Sequence, residues 1–226
     1  MTTLRVLTAL REVARADWNA LVGDGSPFLE WDWLATLEDS GAASPEAGWL
    51  PQHLTLWEGP RLIAACPLYV KSHSMGEFVF DQGWASAAMR AGIRYYPKLL
   101  VAVPFTPVTG ARLLTAPDAA RADAVTALAG ALEEACRAQG FSSVHANFCQ
   151  ADEVEALAAR GWLRRTGFQY HWTNDGCTSF EDYLGSLRSK RRNQVRREQR
   201  ELAAQGIELR AYVGREIPDE LLPVMF

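Results

Sequence analysis

The chain has 226 residues, 48% hydrophobic, 22% charged and 10% aromatic, a globular composition that buries a large core as one or two domains and excludes disorder as the main state. Its longest aliphatic runs, such as residues 99–103, fall far short of the roughly 18 apolar residues of a membrane-spanning helix. The first residues lack the basic, apolar and small-residue succession of a signal peptide, so a cytoplasmic protein is expected.

The net charge of −4 is unevenly placed. Residues 188–200 carry seven Lys and Arg against the single acid Glu198, a net of +6, which leaves −10 on the rest of the chain. One dense cationic segment on an acidic body points to a local anion site rather than a diffuse nucleic-acid coat. The four cysteines, Cys66, Cys136, Cys149 and Cys177, stand singly and are expected as reduced thiols.

In chain order, residues 4–10 read as a strand, followed by helices over 14–22 and 28–39, the second with Ser26 as cap and Pro27 in its first turn. A Gly, Ala, Ser and Pro-rich loop fills 40–51. The β-prone runs 53–57 and 62–70, joined by Glu58-Gly59-Pro60-Arg61, predict a hairpin, and 77–80 a third strand of the same meander. Residues 85–91 have short helical character, and 99–103 form a compact apolar run ended by Pro104. The stretch Phe105-Thr106-Pro107-Val108-Thr109-Gly110 reads as an ordered loop. The strongest helix is 120–139, with Val125, Leu128, Ala129, Leu132, Ala135 and Cys136 on one face and Gly140 at its end. A strand over 143–148, a helix over 152–160 and a β-prone run over 168–173 follow. The order predicts an α+β fold: a mixed, mainly antiparallel sheet flanked by helices.

Several short motifs occur along the chain in a fixed order. They are Ser26-Pro27-Phe28-Leu29, Gly83-Trp84-Ala85, Tyr95-Tyr96-Pro97-Lys98-Leu99, and Pro104-Phe105-Thr106-Pro107-Val108 with Gly110 and Arg112-Leu113. Farther on stand Gln169-Tyr170-His171-Trp172 with Asn174, then Phe180, Tyr183-Leu184 and Lys190-Arg191-Arg192. Together they resemble the FemAB-like predicted N-acyltransferases, or peptidoglycan biosynthesis/recognition proteins, which use two tandem GNAT-like domains. Cys177 departs from that pattern, which usually has an aromatic there. The resemblance implies a GNAT-like domain over 1–177 and, over 178–226, the start of a truncated second one with a helix, a strand over 207–213 and a helix beginning near Ile217. It also implies acyl or aminoacyl transfer to an amine acceptor, such as a cell-wall precursor, with acyl-CoA or aminoacyl-tRNA as donor and no tightly bound cofactor. The helix that would receive a coenzyme A pyrophosphate begins near residues 118–122, and that start carries Ala116-Pro117-Asp118. It lacks the usual Gly-rich loop, and Asp118 and Asp123 oppose phosphate there.

The candidates in the first domain are acceptor-side groups. Asp81 can hold an ammonium or act as base, and Lys98 with Arg112 can hold a carboxylate or phosphate. Trp84, Tyr95, Tyr96, Phe105 and Thr106 can wall a pocket. The competing readings are that the aromatics cover a sheet edge and that Asp81 is only a turn residue. Strand alternation would place Gln169 and His171 on one face toward a ligand, although a lone histidine is as readily structural. No metal is expected, because no second ligand stands at metal spacing.

In the basic segment, Thr178 and Glu181 can form a capping box ahead of an apolar stripe from Phe180 to Leu187. Arg188, Arg192, Arg196 and Arg200 then recur every four residues and, with Lys190 and Arg191, form a cationic ridge suited to phosphates or tRNA. The same ridge also reads as a solvated helix face. A non-catalytic recognition module is the alternative function. An RNA-binding role has only the charge behind it, since aromatic platforms beside the basic residues are not evident in the sequence.

Overall fold

The structure is a computed structural model that describes residues 2–224. It divides into two compact units, with the break between Gly167 and Phe168, whereas the sequence reading put the domain boundary after Cys177.

The first unit is α+β, with two four-stranded sheets. In one, the order is β1 (Thr2–Leu7), β3 (His53–Glu58), β4 (Arg61–Cys66) and β7 (Leu114–Thr115), all antiparallel. In the other, β2 (Trp49–Pro51), β5 (Leu68–Lys71) and β6 (Lys98–Val101) are antiparallel, and β6 pairs in parallel with β8 (Val144–Ala146). Pro67 explains the division. The β-prone run 62–70 reads as one strand, but proline has no N–H to donate to a ladder, so the chain breaks there and changes sheets.

Helices α1 (Arg15–Val22) and α2 (Trp31–Asp39) cover one face of the first sheet, packing Trp18, Leu21, Leu34 and Ala35 against Trp57, Leu62 and Leu114. Helix α4 (Arg121–Ala138) lies on the opposite face. Its Val125, Leu128, Ala129 and Leu132 recur at helical spacing and meet Leu54, Leu56, Ile63, Leu99 and Val101. Gly140, at φ +64, closes that end in the left-handed region as expected. Helix α5 (Ala151–Ala159) adds Leu157 to the same core, while α3 (Gln82–Arg90) buries no residue.

Two expectations in this unit are corrected. Residues 77–80 are not a strand: Phe78 and Phe80 take φ +57 and +50, which no extended chain accommodates. A short strand, β2, forms inside the expected loop 40–51, where Trp49 and Pro51 find partners on β5.

The second unit contains α6 (Phe180–Ser186) and α7 (Ser189–Ala204), followed by helical turns over Gly214–Glu216 and Asp219–Val224. Among its described residues there is no strand. The β-prone stretches 168–173 and 207–213 do not form strands. The cap of α6 also differs by one residue from the reading above. Ser179 Oγ accepts from the Asp182 N–H, and the Asp182 carboxylate accepts from the N–H groups of Thr178 and Ser179.

Candidate functional site

The second sheet of the first unit places two lysines side by side. Trp49 pairs with Lys71, and Lys71 with Lys98, so these three residues form a cross-strand row on one face. Alternation sends Val70 and Leu99 to the α4 core and both lysines to the opposite face, where each is fully buried. Two enclosed ammonium groups require compensation. It comes from the loop after β5 and from the start of α3.

Lys98 Nζ donates to Glu77 Oε2 at 2.9 Å, to Asp81 Oδ2 at 2.8 Å and to Ser74 Oγ at 3.1 Å. The same Asp81 oxygen accepts from Ser74 Oγ at 2.9 Å and Tyr95 Oη at 2.8 Å, and Ser74 Oγ meets Tyr96 Oη at 2.7 Å. Lys71 Nζ donates to the Met75 carbonyl at 3.3 Å and lies over the Trp49 ring, 3.6 Å from its centroid. Glu77 Oε1 and Asp81 Oδ1 are buried without a hydrogen-bond partner.

Enclosure shifts these groups in different directions. Burial pushes the Lys71 amine down to about 7, with the neighbouring Lys98 acting the same way and Glu77 opposing. Burial raises the Glu77 carboxyl against the pull of Lys98. For Asp81, burial acts upward, but hydrogen bonds from Lys98, Ser74 and Tyr95 outweigh it and hold the carboxyl at about 2. Burial also raises the Tyr95 phenol and lowers the His145 imidazole to about 4.

Apolar groups rim the cluster. Met75, Phe78, Phe80 and Trp84 are exposed, Phe80 by 78% and Trp84 by 65%. Arg165 ties two of these stretches together, donating to the Val79 carbonyl and lying over the Trp84 ring. Phe105 packs on Trp49 and covers Gly76, where a Cβ would lie 2.6 Å from the Phe105 ring, so this close approach requires glycine.

Of the residues singled out from the sequence, Asp81, Tyr95, Tyr96 and Lys98 come together in the cluster, with Trp84 and Phe105 at its rim. Lys71, Ser74 and Glu77 were missed. The signal for Lys71 is an apolar strand that ends in a lysine opposite a second lysine, which becomes visible only once the register is known.

Arg112 does not join the cluster. It is buried, and its guanidinium donates to the carbonyls of Asn147, Val108 and Ala111, while Glu153 accepts from the Arg112 and Leu113 N–H groups at 2.7 Å. It therefore pins the loop after Pro104 and is not available to hold a ligand anion. Thr106 is likewise turned inward, donating to the Pro104 carbonyl.

A separate hollow of about 440 Å³ lies between Ser26-Pro27-Phe28-Leu29 and the segment Val108–Ala111. Its charged side chain, Arg121, is bound to Asp152, and the hollow holds none of the cluster residues. At the start of α4, Asp118 pairs with Arg61, and Asp123 lies in the first turn.

In the second unit, Gln169 and His171 lie outside any strand. His171 is exposed, with Nε2 3.4 Å from Gln169 Oε1. Trp172, Phe180 and Tyr183 gather around a hollow of about 510 Å³, an aromatic platform the sequence reading did not foresee. Helix α7 buries no residue. Arg188 stands at its cap, Arg192 donates to the carbonyls of Gly185 and Leu187, and Arg196 pairs with Glu181. Among the described residues, Arg188, Lys190, Arg191, Arg192 and Arg200 make no salt bridge, so much of the ridge charge is unneutralised.

Several solved structures are similar to the chain at 15% identity. An aminoglycoside acetyltransferase from an uncultured soil metagenomic sample gives a TM-score of 0.46, covering 77% of this chain and 99% of that one. An acetyltransferase of Trypanosoma brucei gives 0.41, covering 77% and 100%. A GCN5-related N-acetyltransferase from Ralstonia eutropha JMP134 gives 0.40, covering 76% and 99%. No curated protein matches the chain. The family model described as FemAB-like, peptidoglycan biosynthesis/recognition, matches residues 9–226. On that match, which spans nearly the whole sequence, the chain belongs to the FemAB-like family.

Proposed function

We propose that the protein is an N-acyltransferase, moving an acyl or aminoacyl group to an amine acceptor held at the Lys98 cluster. The observation that carries the reading is the enclosure of Glu77 and Asp81 against Lys98, beside a second buried lysine, Lys71, whose amine is pushed down to about 7. An amine attacks only when neutral, so an ammonium acceptor must first lose a proton. A base with a pKa near the working pH does this best. Glu77, whose carboxyl burial raises and whose Oε1 has no partner, is the better placed base, whereas Asp81, held at about 2, is a positioning group and a weak base.

In the transfer, the acceptor nitrogen forms a C–N bond with the acyl carbon, and the thioester C–S or ester C–O bond breaks. The ammonium gives one proton to Glu77 and, after attack, a second to the departing thiolate or alkoxide. The unneutralised arginines of α7 favour a polyanionic donor such as aminoacyl-tRNA. At the start of α4 both Arg61 and Arg121 are already engaged, by Asp118 and Asp152, and Asp123 lies in the first turn, which disfavours coenzyme A at the usual helix end.

The second reading, a recognition module without turnover, is favoured by the full enclosure of Asp81. The test is amide formation, followed by mass spectrometry, with acyl-CoA and aminoacyl-tRNA donors and a panel of amines. A new amide is expected. Binding of acceptors without product from any donor would favour the recognition module.

A further inference from the structure

The cluster combines two cations, Lys71 and Lys98, with two carboxylates, Glu77 and Asp81, and all four side chains are withdrawn from solvent. Its hydrogen bonding is incomplete on both signs of charge. Glu77 Oε1 and Asp81 Oδ1 are buried and unpartnered, and Lys71 makes a single 3.3 Å hydrogen bond although an ammonium has three donors. Enclosed ion pairs of this kind are seldom worth more to stability than apolar packing, so their presence in the interior calls for another role. The loop that supplies Glu77 and leads to Asp81 is also strained, since Phe78 and Phe80 sit in a left-handed region that bulky side chains rarely occupy.

We propose that the acceptor taken at this cluster is a zwitterionic α-amino acid, its ammonium received by the free oxygens of Glu77 and Asp81 and its carboxylate by Lys71 and Lys98. The inference rests on the acyl-transfer reading for the fate of the ligand, but not for its binding. The argument is charge balance. A zwitterion exchanges ion pair for ion pair and leaves no charge uncompensated. An amine without a carboxylate leaves a lysine unpaired, and a carboxylate without an ammonium leaves Glu77 or Asp81 unpaired; either is costly in a dry site. The strained loop that supplies Glu77 and leads to Asp81 must shift to admit the ligand, and that displacement releases strain as the internal pairs are exchanged.

The test is isothermal titration of the full chain with alanine, alanine amide and N-acetylalanine, which carry both charges, only the positive and only the negative. Alanine is expected to bind at least tenfold more tightly than either derivative. Glu77→Gln, with its fold checked by near-UV circular dichroism, should reduce that preference to under threefold. Equal affinity for all three, or no binding of any, overturns the proposal. If alanine binds selectively but no amide forms with any donor, the inference stands and the acyl-transfer reading falls. If alanine amide is acylated as efficiently as alanine, the transfer reading stands and this inference falls.

Discussion

The Lys98–Asp81 contact, at 2.8 Å with both side chains enclosed, is the residue-scale feature on which the site depends. Removing one charge of such a pair strands the other. Asp81→Asn should therefore cost about 3 kcal/mol in urea unfolding, at the low end for buried pairs because Lys98 keeps Glu77. The pH dependence follows from direction. Asp81 titrates lower in the folded chain, at about 2, than the roughly 3.9 of an unfolded one. Its contribution is complete above the unfolded value and is lost as pH falls through the folded value. The stability gap between wild type and Asp81→Asn should be flat from pH 5 to 7 and should close toward pH 2.

Lys71 behaves in the opposite way. Its folded value of about 7 lies below the ordinary value of roughly 10.4, so the folded chain resists charging it. That penalty is full below pH 7 and vanishes above the unfolded value. Lys71→Met should accordingly stabilise more at pH 6 than at pH 10, by a difference on the order of a few kcal/mol. An equal effect at both pH values would show that the amine is not desolvated. The sequence showed Asp81, Tyr95, Tyr96 and Lys98 as chemistry-bearing residues because they lie in short polar and aromatic motifs. It did not show Lys71, whose role comes from cross-strand pairing, nor the diversion of Arg112 to backbone carbonyls, which depends on a loop turning back on itself.

At the scale of elements, legibility followed how local the forces are. Helix α4 could be read directly because its apolar residues repeat at helical spacing and a glycine ends it. Strands β2 and β7 could not, since two or three residues become a strand only through partners distant in sequence. The error at residues 77–80 has the same origin: Phe78 and Phe80 have high β propensity, but the ion pairs of Glu77 and Asp81 set the loop instead. The cap of α6 is a local feature with a local test. Ser179→Ala removes the acceptor for the Asp182 N–H and should cost about 1 kcal/mol, measured as faster amide exchange in α6. Thr178→Ala leaves that acceptor in place and should have a smaller effect.

For the whole molecule, the separation of charge along the chain has a structural counterpart in a basic helix that buries nothing. Replacing Arg191 and Arg192 by Ala should weaken tRNA binding in a filter or fluorescence assay and flatten its salt dependence. Unchanged affinity and slope would assign the ridge to solvation alone. The central claim is that the enclosed Lys71, Glu77, Asp81 and Lys98 form the acceptor site of an N-acyltransferase. Its most direct test is the acceptor KM in amide formation, compared between wild type and a folded Glu77→Gln variant. The account predicts turnover by wild type and an acceptor KM at least tenfold higher in the variant; the same KM and kcat in both would contradict it.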